Sequence, residues 1–365
     1  MKSKLLVGTS KGLVIFNCSD QHWSVDDVQF EGLPVSLTYI DERTQTWWVG
    51  LSHRHWGEKL HHSRDDGKSW SEVTIPSYQN YFYKEGVPAS LKRIWVLQHA
   101  GVDRPHGLWL GTEPGGLFYS DDDGKNFRLV ESLWNHPSRK DERQWFGAGK
   151  DYPFIHSIVL DPRNSDHLYV GISCAGIFET LDGGRSWQVR NKGLKATYLP
   201  NPSAEMGHDP HRLLMCTQNT NVIWQQNHCG IFRTTNGGQS WDDVSDVDGF
   251  PRYGFALAID EKNENVAWVV PAQSDERRIP VDLKLTVCKT NDGGKTWQPK
   301  NRGLPQANAF DLVLRHALVR MGGILCFGTT NGNVYASHDE GESWLELSKN
   351  LASVNCMSCF LLPDL

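Results

Sequence analysis

The sequence predicts an all-β fold, a single seven-bladed β-propeller, from three observations. A short motif occurs seven times, short apolar strands surround each copy, and an apolar segment without a motif lies at the C-terminal end. Successive motifs are about fifty residues apart, a spacing typical of propeller blades. The chain has 365 residues with 34 glycines and 15 tryptophans, as expected for many tight turns and large buried rings.

The repeated motif is an octapeptide that predicts the tip of a β-hairpin. Its Asp or Asn accepts hydrogen bonds from amides of its own turn, and its glycine adopts a backbone conformation that other residues resist. Its first Ser or Thr ends one strand, and its Trp begins the next with the ring tucked beneath the turn. The copies, of which the first is degenerate, are Cys18–Trp23, Ser63–Trp70, Ser120–Phe127, Thr180–Trp187, Thr234–Trp241, Thr290–Trp297 and Ser337–Trp344.

The segments before each octapeptide predict the other strands of the blades. Short apolar runs alternate there with Gly, Pro and Asn, as in Ile155–Leu160 and Leu168–Ile172, and the inner strand of the seventh blade is expected to begin near Phe310. The first copy lacks an inner strand, so we expect the terminal segment Val354–Leu362 to supply it and to close the ring. The expected blades are residues 1–32 with 353–362, 33–76, 90–130, 153–191, 211–246, 252–300 and 308–349.

The octapeptide resembles the Asp-box (BNR) repeat of sialidases, xyloglucanases, sortilin-type receptors and photosystem assembly factors. Five further stretches are similar to bacterial Asp-box proteins labelled glycosyl hydrolase or exo-alpha-sialidase. The resemblance implies a propeller with a glycosyl hydrolase-like activity on carbohydrate. A sialidase would carry Arg-Ile-Pro in its first blade, whereas here Arg278–Pro280 lies in a late insertion, so sialidase activity itself is not implied. The stretches are GTEPGGLF from Gly111, LWNHPSR from Leu133, FIHSIVLDP from Phe154, MGHDPHRL from Met206 and QQNHCGIF from Gln225.

The predicted topology gives the propeller two different faces. The octapeptides all join third to fourth strands, so they lie together on what we call the octapeptide face. The opposite, connection face carries the turns from second to third strands and the connections between blades. Three long segments, 130–153, 192–211 and 271–281, fall on the connection face. Loops of this length are uncommon unless they are functional, so we expect the site there.

Candidate residues for glycoside hydrolysis lie in these segments. The reaction needs two carboxyl groups, about 5 Å apart or about 6.5–9.5 Å apart depending on the stereochemistry. Glu113 and Asp209 are the expected acid or nucleophile. Arg139 and Arg212 are expected to contact an anionic or hydroxyl-rich group. The candidate ligand-binding residues are Trp134, Arg139, Arg212, Gln226, Asn227 and Arg252.

A metal-dependent enzyme is an alternative. His208 and His211 are three residues apart, and Pro210 keeps their segment out of a helix. His228 lies on the next turn of the same blade, and His156 begins the inner strand of the preceding blade. These histidines, together with a carboxylate, are ligands that suit zinc or another divalent transition metal.

A further alternative is a non-catalytic binding or scaffold propeller for a glycan, a small molecule or a protein partner. The net charge is −6 with no basic block, which argues against nucleic acid as a partner. No apolar run approaches the roughly 20 residues that span a bilayer, so no membrane partner is expected. The N-terminal segment lacks a signal-peptide core, and we expect a cytoplasmic location.

Overall fold

The computed structural model describes residues 2–141, 144–147, 149–246 and 249–361. Seven four-stranded antiparallel sheets form a ring in which neighbouring inner strands contact each other. The structure is therefore a seven-bladed β-propeller with almost no helix, which confirms the predicted fold class. Met1 and Leu362, the ends of the expected first blade, lie outside the described residues. None of the helices in the described ranges has the length and apolar character that crossing a membrane requires.

Each blade has four strands, with the innermost beside a central channel. From the channel outward, the strands of blade 1 are Val354–Leu361, Lys2–Thr9, Gly12–Ser19 and His22–Gln29, those of blade 2 are Val35–Asp41, Thr46–His53, Gly57–Ser63 and Ser71–Val73, and those of blade 3 are Arg93–His99, Leu108–Glu113, Leu117–Ser120 and Arg128–Leu129. In the same order, the strands of blade 4 are Ile155–Leu160, Leu168–Ile172, Gly176–Thr180 and Gln188–Val189, and those of blade 5 are Pro210–Met215, Ile223–Asn227, Gly230–Thr234 and Asp242–Asp243. The strands of blade 6 are Gly254–Asp260, Asn263–Pro271, Val287–Thr290 and Gln298–Lys300, and those of blade 7 are Leu318–Met321, Ile324–Gly328, Val334–Ser337 and Leu345–Ser348. The remaining elements are a ribbon of Phe82–Lys84 and Val87–Pro88, a single α-helical turn at Glu131–Trp134, and 3₁₀ turns at Pro137–Lys140 and Val281–Leu283.

The ring closes through the C-terminal strand, as predicted. Val354–Leu361 pairs antiparallel with Lys2–Thr9, so that Leu5 lies opposite Cys359 and Val7 lies opposite Met357. The first blade thus combines both ends of the chain. This pairing covers a sheet edge that would otherwise present unpaired backbone groups.

The octapeptide turns are held by the hydrogen bonds that their sequence predicts. In blade 4, Asp182 accepts from Ser186 N at 2.9 Å, from Ser186 Oγ at 2.6 Å and from Thr180 Oγ1 at 2.8 Å. These bonds, with that from Ser186 Oγ the strongest, lower the pKa of the Asp182 carboxyl to about 2. Gly184 has φ +86° and donates its amide to Thr180 Oγ1 at 2.9 Å. The turn is therefore specified locally, by residues at most four positions apart.

The tryptophan rings of the octapeptides connect neighbouring blades. In most copies the indole N–H donates to a residue in the outer part of the preceding blade, so each ring fastens its own turn to that preceding blade. The donor and acceptor pairs are Trp70 and Gln29, Trp187 and Ser132, Trp241 and Arg190, Trp297 and Val244, and Trp344 and Lys300, and the degenerate copy pairs Trp23 with His338.

We expect Trp241→Ala to lower the free energy of unfolding by about 3–5 kcal/mol, because it leaves a large cavity between blades. Trp241 is 2% exposed, and its indole donates to Arg190 O at 2.7 Å. Trp56, which is 75% exposed, provides the control: Trp56→Ala should change stability by less than about 0.5 kcal/mol. Urea unfolding of both variants measures the difference, and equal losses would contradict the role of the ring between blades.

The entry into blade 7 differs from the predicted one. Its inner strand begins at Leu318 rather than near Phe310, which is 56% exposed. The apolar residues between them pack without forming a strand: Leu312 contacts the core beside Phe255, and Val313 lies in the core of blade 7. An apolar run predicts burial, but a strand also needs a partner strand for its backbone, and here that pairing starts later.

Candidate functional site at the connection face of the channel

The inner strands share an irregularity at the end nearest the connection face. In blades 2 to 6 the pairing register shifts at the second or third residue of the inner strand. A β-bulge of this kind redirects a side chain and bends the strand. The residues at these bulges are Ser36, Trp95, His156, His211 and Phe255.

An arginine lies at the centre of this end of the channel. The Arg315 guanidinium is 5.1 Å from the ring centroids of Phe154 and Phe255 and 5.9 Å from that of Trp95. Trp95 and Phe154 stack at 4.1 Å with an angle of 14° between their planes. Burial lowers the pKa of Arg315, and its Nε has no hydrogen-bond partner within the described part of the chain. We call Trp95, Phe154, Phe255 and Arg315 the channel mouth.

A buried carboxyl group adjoins the channel mouth on the side of blade 3. Glu113 is 6% exposed, and its Oε2 accepts the indole N–H of Trp95 at 3.2 Å. Burial raises the pKa of Glu113, although Lys150 and the Trp95 bond oppose it, and Asp151 adds to the rise. Glu113 is therefore protonated at a higher pH than an ordinary glutamic acid.

A second buried carboxyl group comes from blade 2. Glu58 is 6% exposed and accepts from Ser52 Oγ at 2.5 Å and from the Ile94 amide at 3.1 Å. Burial raises its pKa, and the charge of Glu113 adds to this rise. Glu58 and Glu113 thus lie within electrostatic range of each other.

A cluster of Asp209, His211 and His228 adjoins the channel mouth on the opposite side. Asp209 Oδ2 is 3.2 Å from His211 Nε2 and 3.6 Å from His228 Nδ1. The other carboxylate oxygen of Asp209 accepts from Ser173 Oγ at 2.7 Å. Burial opposes ionisation of Asp209, but His211, His228 and Arg315 hold its pKa well below the usual range. Asp209 is consequently an ionised group and not a proton donor.

The outward-facing nitrogens of both histidines have partners of their own. His211 Nδ1 is 2.6 Å from the Gly254 carbonyl, and His228 Nε2 is 3.5 Å from Asp275 Oδ2. His211 also stacks on Phe255 at 4.5 Å. Burial lowers the pKa of His211, which favours its neutral form.

The other two candidate metal ligands lie outside this cluster. His208 Nε2 bonds to the Ala204 carbonyl at 2.7 Å, and His156 Nδ1 bonds to Ser157 Oγ at 2.9 Å. Burial lowers the pKa of both, and lowers that of His156 strongly. Of the four predicted histidines, the structure therefore brings His211 and His228 together with Asp209.

Trp134 and Arg139 form a buried contact in the insertion between blades 3 and 4. The Arg139 guanidinium lies 3.7 Å from the Trp134 ring centroid and donates to the Gly115 carbonyl at 2.7 Å. Burial lowers the pKa of Arg139 to about 10. Because Trp134 is 6% exposed, its ring offers little surface to a ligand.

Gln226 and Asn227 hold the turn that presents His228. The Gln226 amide donates to the Gly230 and Arg252 carbonyls, and Asn227 Oδ1 accepts the amide N–H of Cys229 at 3.0 Å. The Arg252 side chain is exposed and pairs with Asp243.

Arg212 faces the interior of the channel. It is half-buried, and burial alone lowers its pKa to about 10. Its Nε lacks a hydrogen-bond partner among the described residues. A cavity of about 560 Å³ extends from Arg212, Trp95 and His316 toward the octapeptide face, where Glu42 and Glu261 line it. His316, which lines this cavity, bonds across the channel to the His156 carbonyl at 2.8 Å.

Several of these residues were not predicted from the sequence. Trp95 and Phe255 occupy the same strand position as His156 and His211, so aligning the inner strands of the repeats would have identified them. Arg315 was not predicted because it lies before Leu318, in the segment that was assigned to the inner strand of blade 7. Ser173, Tyr253 and Asp275 join the site through tertiary contacts, without a sequence signal.

No family model matches the chain. It is 23% identical over 219 residues, 52% of its length, to an oligoxyloglucan-reducing end-specific xyloglucanase of Emericella nidulans. It is also 23% identical over 308 residues, 76% of its length, to a xyloglucanase of Acetivibrio thermocellus. The chain spans only 25% and 33% of the length of these two relatives.

Among solved structures, a periplasmic gluconolactonase of Pseudomonas aeruginosa superimposes with a TM-score of 0.61 at 13% identity, covering 100% of both chains. An ancestral GH74 enzyme superimposes with a TM-score of 0.56 at 16% identity, covering 89% of this chain and 38% of the other. At this identity the likeness shows the fold alone. The chain is thus a seven-bladed β-propeller with distant sequence similarity to xyloglucanases.

Proposed function

We propose that this protein is a carbohydrate-active propeller of the glycosyl hydrolase-like kind, with its site at the channel mouth. The observation that carries the proposal is Glu113, a buried carboxyl with a raised pKa that is hydrogen-bonded to the indole of Trp95. A carboxyl whose pKa is raised by burial suits the general acid of a glycosidase. The similarity to proteins named xyloglucanases supports the same class of substrate.

Two carboxyl groups are candidates for the second role in hydrolysis. The charge of Glu113 raises the pKa of Glu58, and the charge of Asp151 raises the pKa of Glu113. Asp151 is exposed and accessible to a water molecule or a sugar, whereas Glu58 is buried and hydrogen-bonded. Asp209 suits the acid role less well, because its neighbours keep it ionised.

The charges around the channel favour a sugar that carries an acidic group. Arg93 lies 4.4 Å from the Trp95 ring centroid, and Arg315 and Arg212 lie nearby, each with an Nε that has no hydrogen-bond partner among the residues that the structure describes. Buried guanidinium groups whose N–H donors are not all used gain from an anionic partner. Aromatic rings such as Trp95 beside these cations offer the apolar and polar surfaces that a sugar ring contacts.

Binding to a panel of neutral xyloglucan oligosaccharides and uronate-containing oligosaccharides tests this proposal, with products followed by mass spectrometry. We expect acidic oligosaccharides to bind, and Arg212→Met to weaken that binding about 10–100-fold, because a charge-assisted hydrogen bond is lost. Arg252→Met is the matched control, since Arg252 is exposed and pairs with Asp243, and it should bind like wild type.

The same panel separates the competing functions. Binding with bond cleavage supports a hydrolase, and binding without product supports the non-catalytic glycan-binding alternative. Binding of neutral sugars alone would contradict the inferred acidic group. The absence of both binding and product across the panel would overturn the carbohydrate proposal and leave a protein partner as the function to test.

A further inference from the structure

The Asp209, His211 and His228 cluster has the geometry of a metal site. One ligand atom from each residue lies within 4.8 Å of the other two. Asp209 Oδ2 is 3.2 Å from His211 Nε2 and 3.6 Å from His228 Nδ1. An ion with tetrahedral ligands at about 2.0–2.2 Å places those ligands roughly 3.2–3.6 Å apart. The distances from Asp209 to the two histidines therefore match the spacing of ligands around one small ion.

The outer hydrogen bonds of the histidines direct their lone pairs toward this point. His211 Nδ1 faces the Gly254 carbonyl, so it is the nitrogen that carries hydrogen, and Nε2 of the neutral ring is an acceptor. His228 Nε2 likewise faces Asp275 Oδ2, which leaves the Nδ1 lone pair directed inward. With both rings neutral, two imidazole lone pairs and a carboxylate oxygen thus converge on one point. This arrangement is unfavourable unless a proton or a metal ion lies among them.

The second-sphere contacts are those that accompany metal ligation. Metal-binding histidines usually donate their other N–H to a backbone carbonyl or a carboxylate, and ligating carboxylates are themselves hydrogen-bonded. His211 has the Gly254 carbonyl, His228 has Asp275, and Asp209 accepts from Ser173 Oγ at 2.7 Å. Each of the three ligands therefore has its own orienting partner, Ser173 from blade 4 and Gly254 and Asp275 from blade 6.

The surroundings leave room for a further ligand. His228 is half-buried, with 22% of its side chain exposed, while Asp209 and His211 are buried. The Tyr253 ring lies 5.5 Å from that of His228, and the Tyr253 hydroxyl has no partner among the described residues. Three protein ligands with an open position are typical of a site that binds water or substrate.

From these observations we propose that Asp209, His211 and His228 bind one divalent first-row transition metal ion such as Zn²⁺. Two imidazoles and one carboxylate suit zinc and also iron(II), manganese(II) and cobalt(II). The inference goes beyond the proposed function and does not depend on it, because ion binding is measured without any sugar.

The test is titration of chelator-stripped, untagged full-length protein with Zn²⁺ by calorimetry, and with Co²⁺ by visible absorption. We expect one equivalent of each ion to bind. His228→Gln should weaken Zn²⁺ binding more than 100-fold, since it removes a ligand. Asp275→Asn should weaken it about 10–100-fold, the usual effect of removing a second-sphere partner.

His208→Gln is the matched control, because His208 is a buried histidine of the same segment whose Nε2 bonds to the Ala204 carbonyl instead. It should bind Zn²⁺ like wild type. Circular dichroism and thermal unfolding establish that each variant is folded, and the exposed Asp275 provides a test if His228→Gln does not fold. The proposal is overturned if the wild type binds neither ion, or if folded His228→Gln or Asp275→Asn binds as tightly as His208→Gln.

Discussion

Glu113→Gln is expected to lower the rate of glycoside cleavage by about 10²–10⁴-fold, the usual contribution of a general acid, while sugar affinity changes only a few-fold. The amide keeps the size of the side chain and an acceptor for the Trp95 indole, which lies 3.2 Å from Glu113 Oε2. It cannot transfer a proton to the leaving group. Initial rates on an oligosaccharide that the wild-type protein cleaves measure the loss.

The pH profile gives a second readout of the same residue. A general acid acts only when it is protonated, so the wild-type rate should fall as pH rises through the pKa of Glu113, which burial raises above its usual value. That decline should be absent from the residual activity of Glu113→Gln. The control is Glu276→Gln, an exposed glutamate in an insertion on the same face, which should behave like wild type. Unchanged cleavage by folded Glu113→Gln would remove Glu113 from the mechanism.

A chain that ends at Ser353 is not expected to form a stable monomer. It lacks the closing strand Val354–Leu361, whose Val354, Met357 and Phe360 are at most 4% exposed. Burying one large apolar side chain contributes about 1.5–3 kcal/mol, and a whole domain is stable by only about 5–15 kcal/mol. The truncation also leaves Lys2–Thr9 as an open edge, which promotes association. Size-exclusion chromatography and circular dichroism should show aggregated or unfolded protein.

A pair of phenylalanine substitutions tests the closing strand without removing it. Phe360→Ala should cost about 3–5 kcal/mol, because Phe360 is 2% exposed and packs edge-on against Trp47 at 5.2 Å. Phe310→Ala should cost less than about 0.5 kcal/mol, because Phe310 is 56% exposed. Urea unfolding measures both. A soluble, cooperatively folding truncation, or equal costs for the two phenylalanines, would show that closure adds little stability.

The fold was predictable because its information is local and repeated. The hydrogen bonds of the Asp182 turn join residues at most four positions apart, so eight residues specify each hairpin tip. Seven copies then specify the number of blades, and the unmatched apolar tail specifies the closure. The prediction differed from the structure in blade 7, where the apolar residues before Leu318 pack against the core without pairing as a strand.

From the sequence we also expected the site on the connection face, and we selected several residues of the candidate site. Glu113, Asp209, His211, His228 and Arg212 were all selected from loop length, residue type and strand order. The roles of other residues were not accessible in this way. Trp134 and Arg139 are residue types that are common on binding surfaces. Here, however, the Arg139 guanidinium lies 3.7 Å from the Trp134 ring centroid in the interior. Composition does not reveal whether an aromatic ring faces solvent or a neighbouring cation.

The sequence alone determined the architecture of this protein: the seven hairpins, the closed ring and the face on which its polar residues gather. It could do so because each of these features depends on short-range contacts repeated along the chain. Only the tertiary structure decided which polar groups meet. The β-bulge at His211, the turn at His228 and the insertion carrying Asp275 bring together residues that are up to 64 positions apart, through contacts that differ from blade to blade. Since no repeated pattern encodes such contacts, three-dimensional packing was needed to distinguish Asp209, His211 and His228 from the other histidines and carboxylates of the chain.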